Sequence, residues 1–294
     1  MAVQAKAIKQ KIKGVGNIRK ITRTMEMVSV SKMKKAGAAA LLVRSYAIAA
    51  ERVIAHIGKK SVSEHRYFKS NSNKKELYII CSSNKGLCGS YNTNIYRKLS
   101  RTLSGSDRTE IDFVTVGKKS EKIAKRLGGK VIASFTEIGD TPDMLLAENV
   151  FGVVNSTFNN EEYGSVYFVY THFVKQMTYE PTILKLFPFS NETLGSMTQE
   201  EPNRVATQKE TVFEPNEASI LEEIVPSLVE ALIFSGLTDA SASEHSSRMF
   251  AMKTASDNAK EMQRVLTISY NRARQDAVTQ ELAEIAAGAG AVSS

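Results

Sequence analysis

The chain has 294 residues, of which 42% are hydrophobic and 24% charged, with no Trp, six Pro, two Cys and a formal net charge of +8. This is the composition of a folded globular protein, so a disordered chain is excluded, and the length gives one or two domains able to bury a core without disulfide or metal staples. No apolar run approaches the about eighteen residues of a membrane span, the basic N-terminus lacks an apolar signal core, and two Cys fit a reducing compartment. The expectation is a soluble, cytosolic, basic protein.

The charge is uneven. Residues 1–60 hold fourteen Lys/Arg against Glu26 and Glu51, a net +12 that leaves −4 for the other 234 residues. Such an arm suits nucleic acid, an anionic membrane surface or an acidic protein partner, and composition does not choose among them. The first aromatic residue of the arm is Tyr46, so base stacking has little to work with there. The solvated face of a coiled coil is the default reading.

The N-terminal 1–60 reads as one long helix. Ile8, Ile12, Val15, Ile18, Ile21, Met25, Val28, Met33 and Ala36 recur mostly three and four apart, the apolar stripe of a helix. Gly14, Gly16 and Gly37 weaken it locally by about 1 kcal/mol each. A helix from Ala2 to Ile57 would be roughly 85 Å long at its 1.5 Å rise, so it must leave a compact domain and find a partner.

Residues 75–190 alternate strand and helix. Leu77–Cys81, Ile111–Val116 and Lys130–Phe135 read as strands, with helices over Thr93–Leu103 and Lys118–Leu127 between them. A helix follows within Thr141–Asn159, opened by Thr141-Pro142-Asp143, and Ser165–Val174 with Thr178–Phe189 forms an antiparallel hairpin. The alternation predicts an α/β, Rossmann-like domain with a partly parallel sheet. Residues 191–214 are polar and Pro-containing, a linker.

A second long helix is predicted over 215–287, since no Pro follows Pro226. Its stripe is Ile220, Leu221, Ile224, Leu228, Leu232 and Ile233, continuing through Met249, Met252, Ala255, Ala259, Met262, Leu266, Tyr270, Ala273, Ala277, Leu282 and Ile285. Pro226 is expected to bend or delay its start. At about 105 Å this helix outreaches the first, and the two flank the central domain as an antiparallel coiled coil. A tail of small, uncharged residues, 288–294, ends the chain.

Candidate chemistry is sparse. Ser82-Ser83-Asn84-Lys85-Gly86-Leu87-Cys88-Gly89-Ser90 lies between a strand and a helix, where Gly-rich turns cradle phosphate. It matches neither G-x-G-x-x-G nor G-x-x-x-x-G-K-[ST], so Gly86 and Gly89 read as a structural turn. Cys81 and Cys88 are not C-x-x-C, and His56, His65, His172 and His245 are scattered, so no metal site is expected. Asp140 and Asp143 read as helix caps. Met25/Met27 and Met249/Met252 read as core, and Glu222/Glu223 as a solvated face. Nothing amounts to an active site.

Three segments carry a resemblance. Ile18-Arg19-Lys20-Ile21-Thr22-Arg23-Thr24-Met25-Glu26-Met27-Val28, followed by Ser31-Lys32-Met33, resembles the N-terminal signature of the gamma subunit of rotary F-type ATP synthases. Ser82–Gly89 is similar to that family's central motif, with Asn84-Lys85 where the family usually has Asp-Arg. Arg248–Ala259, Tyr270–Gln275 and Thr279–Leu282 are similar to its C-terminal signature. The resemblance covers the whole chain, in order and spacing.

The resemblance implies a non-catalytic rotor shaft, with the coil inside a hexamer of alpha and beta subunits. It further implies that the α/β domain meets the epsilon subunit and the c-ring of the membrane sector, with no nucleic acid bound. Membrane association would come only through the complex, on the cytoplasmic face of a bacterial cell membrane. No cofactor would be bound by this chain, ATP, ADP and Mg being held by partner subunits. Matching motif positions put contacts to the beta subunits at Met25, Arg248, Arg274, Gln275, Thr279 and Glu281. Read on residues alone, Met25 fits coil core equally well. The alternatives are a basic coiled-coil scaffold or nucleic-acid binder, and an enzyme with its site around Asn84–Ser90.

Overall fold

The computed structural model describes residues 2–56, 65–69, 73–104, 110–139, 141–189 and 216–292. Within the two long helices it describes the side chains of 5–39, 49 and 219–287. The expected linker 191–214, Asp140, and the side chains of His56 and of the small-residue tip fall outside these.

The elements in chain order are α1 (Ala2–His56), β1 (Glu76–Cys81), α2 (Tyr91–Leu103), β2 (Ile111–Val116), α3 (Lys118–Leu127) and β3 (Lys130–Phe135). Then follow α4 (Met144–Asn159), β4 (Ser165–Lys175), β5 (Thr178–Phe187) and α5 (Glu217–Val292). Two compact units divide the chain, residues 30–247 and residues 1–29 with 248–294.

In the unit of residues 30–247, five strands form one sheet in the order β3-β2-β1-β4-β5. β1 pairs in parallel with β2 and β4, and β2 with β3, while β4 and β5 form an antiparallel hairpin. Because side chains alternate across a strand, β1 serves two cores. Leu77, Ile79 and Cys81 pack with α4 and with Leu221, Val225, Leu228, Leu232 and Leu237 of α5. Tyr78 and Ile80 pack on the opposite face with Tyr91, Ile95 and Leu99 of α2 and with Ile123 of α3. Each such side chain contributes about 1.5–3 kcal/mol by leaving water, which is why a Cys-poor chain holds this sheet.

Local chemistry sets the helix ends. The Asp143 carboxylate accepts the Leu146 amide at 2.9 Å and starts α4. Asn216 does the same for α5, accepting from Ser219 N at 2.8 Å. Gly117 starts α3 at φ 94, and any Cβ there would overlap the Ser82 carbonyl. Pro226 neither delays nor ends α5, which runs through it as one 76-residue helix. Its ring removes one intrahelical bond, to the carbonyl four residues back, a local loss outweighed by the buried Leu221, Val225, Leu228 and Val229 that hold the same turns. The helix also continues through Gly288 and Gly290 to Val292, past the expected helix end at residue 287.

In the other unit the N-terminal part of α1 packs with the C-terminal part of α5. The Cβ position of Gly16 lies 3.4 Å from Nε2 of Gln263. On α1, Ala5, Ile8, Ile12, Val15, Thr22, Met25 and Ser29 are sheltered, alternating three and four apart except for one skipped turn between Val15 and Thr22. On α5, Met249, Met252, Ser256, Ala259, Gln263, Leu266, Tyr270, Ala273 and Ala277 continue the same alternation. Two 3.5-residue repeats facing each other make an antiparallel coiled coil.

The seam keeps the expected stripe at Ile8, Ile12 and Val15 and at Met249, Met252, Ala259, Leu266, Tyr270, Ala273 and Ala277, and departs from it by one residue where Thr22, Ser29 and Gln263 take the inner positions instead of Ile21, Val28 and Met262. Ile18, Ile21 and Val28 are 54%, 59% and 47% exposed, and Met262, Leu282 and Ile285 also point outward. Thr22 and Ser29 take the inner positions because their hydroxyls are satisfied locally. Thr22 Oγ1 donates to Ile18 O at 3.0 Å and Ser29 Oγ to Met25 O at 2.7 Å. Small residues with self-satisfied hydroxyls let two backbones approach closely without an orphaned polar group.

Candidate partner-contact site

The coil thus carries a second apolar stripe that this chain does not cover. On α1 it consists of Ile18, Ile21 and Val28, with half-buried Met25 at its edge. On α5, Met262, Val265, Ile268, Val278, Leu282 and Ile285 are each about half exposed or more. Single exposed apolar residues are ordinary, but groups of them three and four apart on one helix mark an interaction surface.

The sequence-expected contact residues fall into two groups. Arg274, Gln275, Thr279 and Glu281 are all exposed, and Thr279 Oγ1 donates back to Gln275 O at 3.0 Å. Gln275 and Thr279 share one helical face with Leu282, and Arg274 and Glu281, seven apart, share the face beside it. Met25 belongs to a different place. With Gly16 level with Gln263, it lies about twenty residues of helix, about 30 Å, from the Arg274 group. Arg248 differs from the rest, being only 7% exposed. Of the turn glycines, Gly89 adopts φ 57, while Gly86 meets open space and Leu87 takes the other left-handed position at φ 62.

Sequence reasoning missed a joint between α5 and the sheet, inside the unit of residues 30–247. His172 Nδ1 on β4 lies 2.6 Å from Asp239 Oδ2 on α5. Tyr91 OH donates to Ala240 O at 3.2 Å, Ser243 Oγ to Thr171 O at 3.1 Å, and Ser247 Oγ to Cys88 O at 2.6 Å. Ser246 Oγ accepts the Met177 amide at 3.0 Å, and Tyr179 OH donates to Ser247 Oγ at 3.0 Å. The available signal was Asp239–Ser247, a serine-rich stretch in mid-helix, where Ser is otherwise unfavourable. Gly236 sits one turn earlier, against the Phe168 ring of β4.

This joint fills the position where an open α/β sheet binds nucleotides. That position is the crevice beyond the carboxyl ends of the strands, at the switch point between β1 and β4. Here the fully buried Tyr91 and the α5 serines occupy it, and the Cys88 carbonyl is spent on Ser247. Burial pushes the Cys81 thiol up to about 12, so it stays a neutral small apolar group at ordinary pH. No grouping of three or more His, Cys, Asp or Glu suited to a metal occurs among the described residues. A cavity of about 720 Å³ opens at the opposite, amino ends of the strands, bordered by Tyr96, Ser100, Asp112, Arg126 and Lys130. Asp112 there is committed, accepting from Tyr163 OH at 2.7 Å and pairing with Lys75 at 2.8 Å. No described helix is long and apolar enough to cross a membrane.

Known proteins resemble this chain along nearly its whole length. The family model described as "ATP synthase" matches residues 4–292. The ATP synthase gamma chain of Cupriavidus pinatubonensis is 36% identical over 291 residues, covering 98% of this chain and 99% of its own. That of Xanthomonas campestris pv. campestris is 37% identical over 289 residues, covering 97% and 98%. Among solved structures, the central stalk and c-ring of the Tetrahymena thermophila mitochondrial ATP synthase contains a chain matched with a TM-score of 0.58. It is 26% identical over 80% of this chain and 99% of its own. A chain of the Euglena gracilis mitochondrial ATP synthase shares the fold at a TM-score of 0.69 and 16% identity, covering 99% and 95%. None of these relatives supports a free-standing scaffold or a nucleic-acid binder. The chain belongs to the ATP synthase gamma-chain family.

Proposed function

We propose that this chain is the non-catalytic rotor shaft of a rotary ATP synthase, carrying torque between ion flow through a c-ring and nucleotide chemistry on beta subunits. The observation that carries the reading is the outer stripe of the coil, Ile18, Ile21 and Val28 on α1 and Val265, Ile268 and Leu282 on α5. It is apolar where a soluble monomer would be polar. One asymmetric shaft inside alternating alpha and beta subunits presents a different face to each beta copy. Each orientation then favours a different beta conformation through differential contacts, and linkage makes the coupling reciprocal.

In this reading ATP, ADP and Mg belong to the partner subunits and this chain binds none. Met25 faces a beta-subunit loop, and Arg274, Gln275, Thr279 and Glu281 engage beta near the far end of the coil. Arg248, buried in its own chain, holds the local packing that aims its neighbours at beta. The sheet domain meets the epsilon subunit and the c-ring, and the complex keeps the chain on the cytoplasmic face of the cell membrane. The Asp239–Ser247 joint passes torque from sheet domain to α5, each bond contributing about 0.5–1.5 kcal/mol.

Reconstitution tests this. Alpha and beta subunits should gain strong ATPase activity only when this chain is added, and the chain alone should have none. Activity of the isolated chain, or an alpha–beta activity indifferent to it, would contradict the proposal. Arg274→Ala with Gln275→Ala should leave assembly intact and lower coupled ion pumping, and unchanged pumping would remove that pair from the mechanism.

A further inference from the structure

Helices α2 and α3 lie side by side on the sheet face formed by Tyr78, Ile80 and Phe113. Their inner residues, Ile95, Leu99, Ile123 and Ala124, are buried there. Their outer surface is basic. α2 exposes Arg97, Lys98 and Arg101, all on its solvent side. α3 exposes Lys118, Lys122, Lys125 and Arg126, with Lys119 half-buried beside them. The only acid in the two helices is Glu121, whose carboxylate accepts the Ser134 hydroxyl at 2.7 Å. None of these cations pairs with a carboxylate among the described residues.

An uncompensated array of like charges repels itself, and it concentrates anions at the surface it covers. The kind of anion follows from what else the face offers. Protein–protein interfaces are anchored by buried apolar and aromatic side chains. No exposed large hydrophobic residue lies on α2 or α3, although the coil and several loops have them. The nearest aromatic ring, Tyr96, is half-buried with the Arg126 guanidinium 5.5 Å over it. A face with cations on two adjacent helices and no apolar anchor matches a partner whose charge is spread over a plane.

We propose that the α2–α3 face is an electrostatic docking surface for anionic phospholipid headgroups. Its attraction is collective, falls with salt and needs no insertion into the bilayer. It would add a direct lipid contact to a chain that otherwise meets the membrane through its complex. The assignment is independent of the rotor reading, because vesicle binding needs no partner subunit.

Co-sedimentation of the full-length chain with mixed phosphatidylglycerol–phosphatidylcholine vesicles, and with pure phosphatidylcholine vesicles, tests this. The control is set by α1, which is also basic. One variant carries Arg97→Gln, Arg101→Gln, Lys122→Gln and Lys125→Gln. The other removes the same charge from exposed α1 positions by Lys6→Gln, Lys9→Gln, Lys11→Gln and Lys13→Gln. The first is expected to weaken binding to the anionic vesicles by about tenfold or more, and the second by less than about threefold. A charge-keeping variant, Arg97→Lys with Arg101→Lys, should bind like the parent, which separates lost charge from lost folding. Equal losses in the two glutamine variants would mean that binding follows net charge, and would overturn the proposal. So would equal binding to neutral vesicles, or salt-resistant capture of a soluble polyglutamate by this face in the absence of vesicle binding, which would assign the face to an acidic protein.

Discussion

Gly236 decides how closely α5 can lie against the sheet. A Cβ at this position would overlap the Phe168 ring, itself fully buried and stacked on Tyr170 at 5.1 Å. The ring has no room to yield, so Gly236→Ala is expected to cost about 1–3 kcal/mol by overpacking. Adding Phe168→Leu should recover part of the loss in a urea titration, and no recovery would mean the strain lies elsewhere. His65 makes the second residue-scale case. It is buried, neither ring nitrogen has a hydrogen-bond partner among the described residues, and the Glu222 carboxylate stands 4.0 Å away. Burial lowers its pKa below 6.5, against the opposing pull of Glu222 and with Arg66 adding to the lowering. The unfolded chain therefore takes up a proton below pH 6.5 that the folded chain resists. The stability contributed by neutral His65 is complete above that pH and is lost as pH falls toward the folded pKa. Denaturant midpoints should drop on acidification below about pH 6.5 in the parent and less so in His65→Leu; identical slopes would acquit His65.

At the scale of elements, the coil shows what a sequence reveals about a helix and what it hides. The period was legible, since apolar residues three and four apart permit little else. The phase was legible at Ile8, Ile12 and Val15 and along most of α5, but not between Ile18 and Ser29, because Ile18 and Ile21 outweigh Thr22 on any hydrophobicity argument. The packed seam instead selects Thr22 and Ser29, whose hydroxyls bond back to Ile18 and Met25 carbonyls. Two substitutions separate the seam from the outer stripe. Thr22→Leu should destabilise the chain by about 1–3 kcal/mol by forcing the helices apart. Ile18→Ala with Ile21→Ala should change thermal stability of the isolated chain by about 0.5 kcal/mol or less, while weakening its association with alpha and beta subunits. A large stability loss from the second pair would place Ile18 and Ile21 in the seam after all. Charge showed the same limit. The −4 carried by residues 61–294 averages over the cationic outer faces of α2 and α3, which only folding brings side by side.

At the scale of the molecule, strands β1 to β5 and the helices between them could be read almost to their ends. Each is a short apolar run bounded by turn residues. The contacts that join distant segments could not be read, since nothing in either segment names its partner. Ser247 and Cys88 are 159 residues apart, and His172 and Asp239 are 67 apart. These contacts turn a Rossmann-like sheet into a mount for a helix and fill the crevice in which such sheets usually hold a nucleotide. The central claim is that one copy of this chain serves several catalytic partners as their common shaft. The native mass of the complex purified through this chain tests it most directly. One copy for every three beta subunits is the expected result, and equal copies of this chain and beta, or a chain that purifies with neither alpha nor beta, would contradict it.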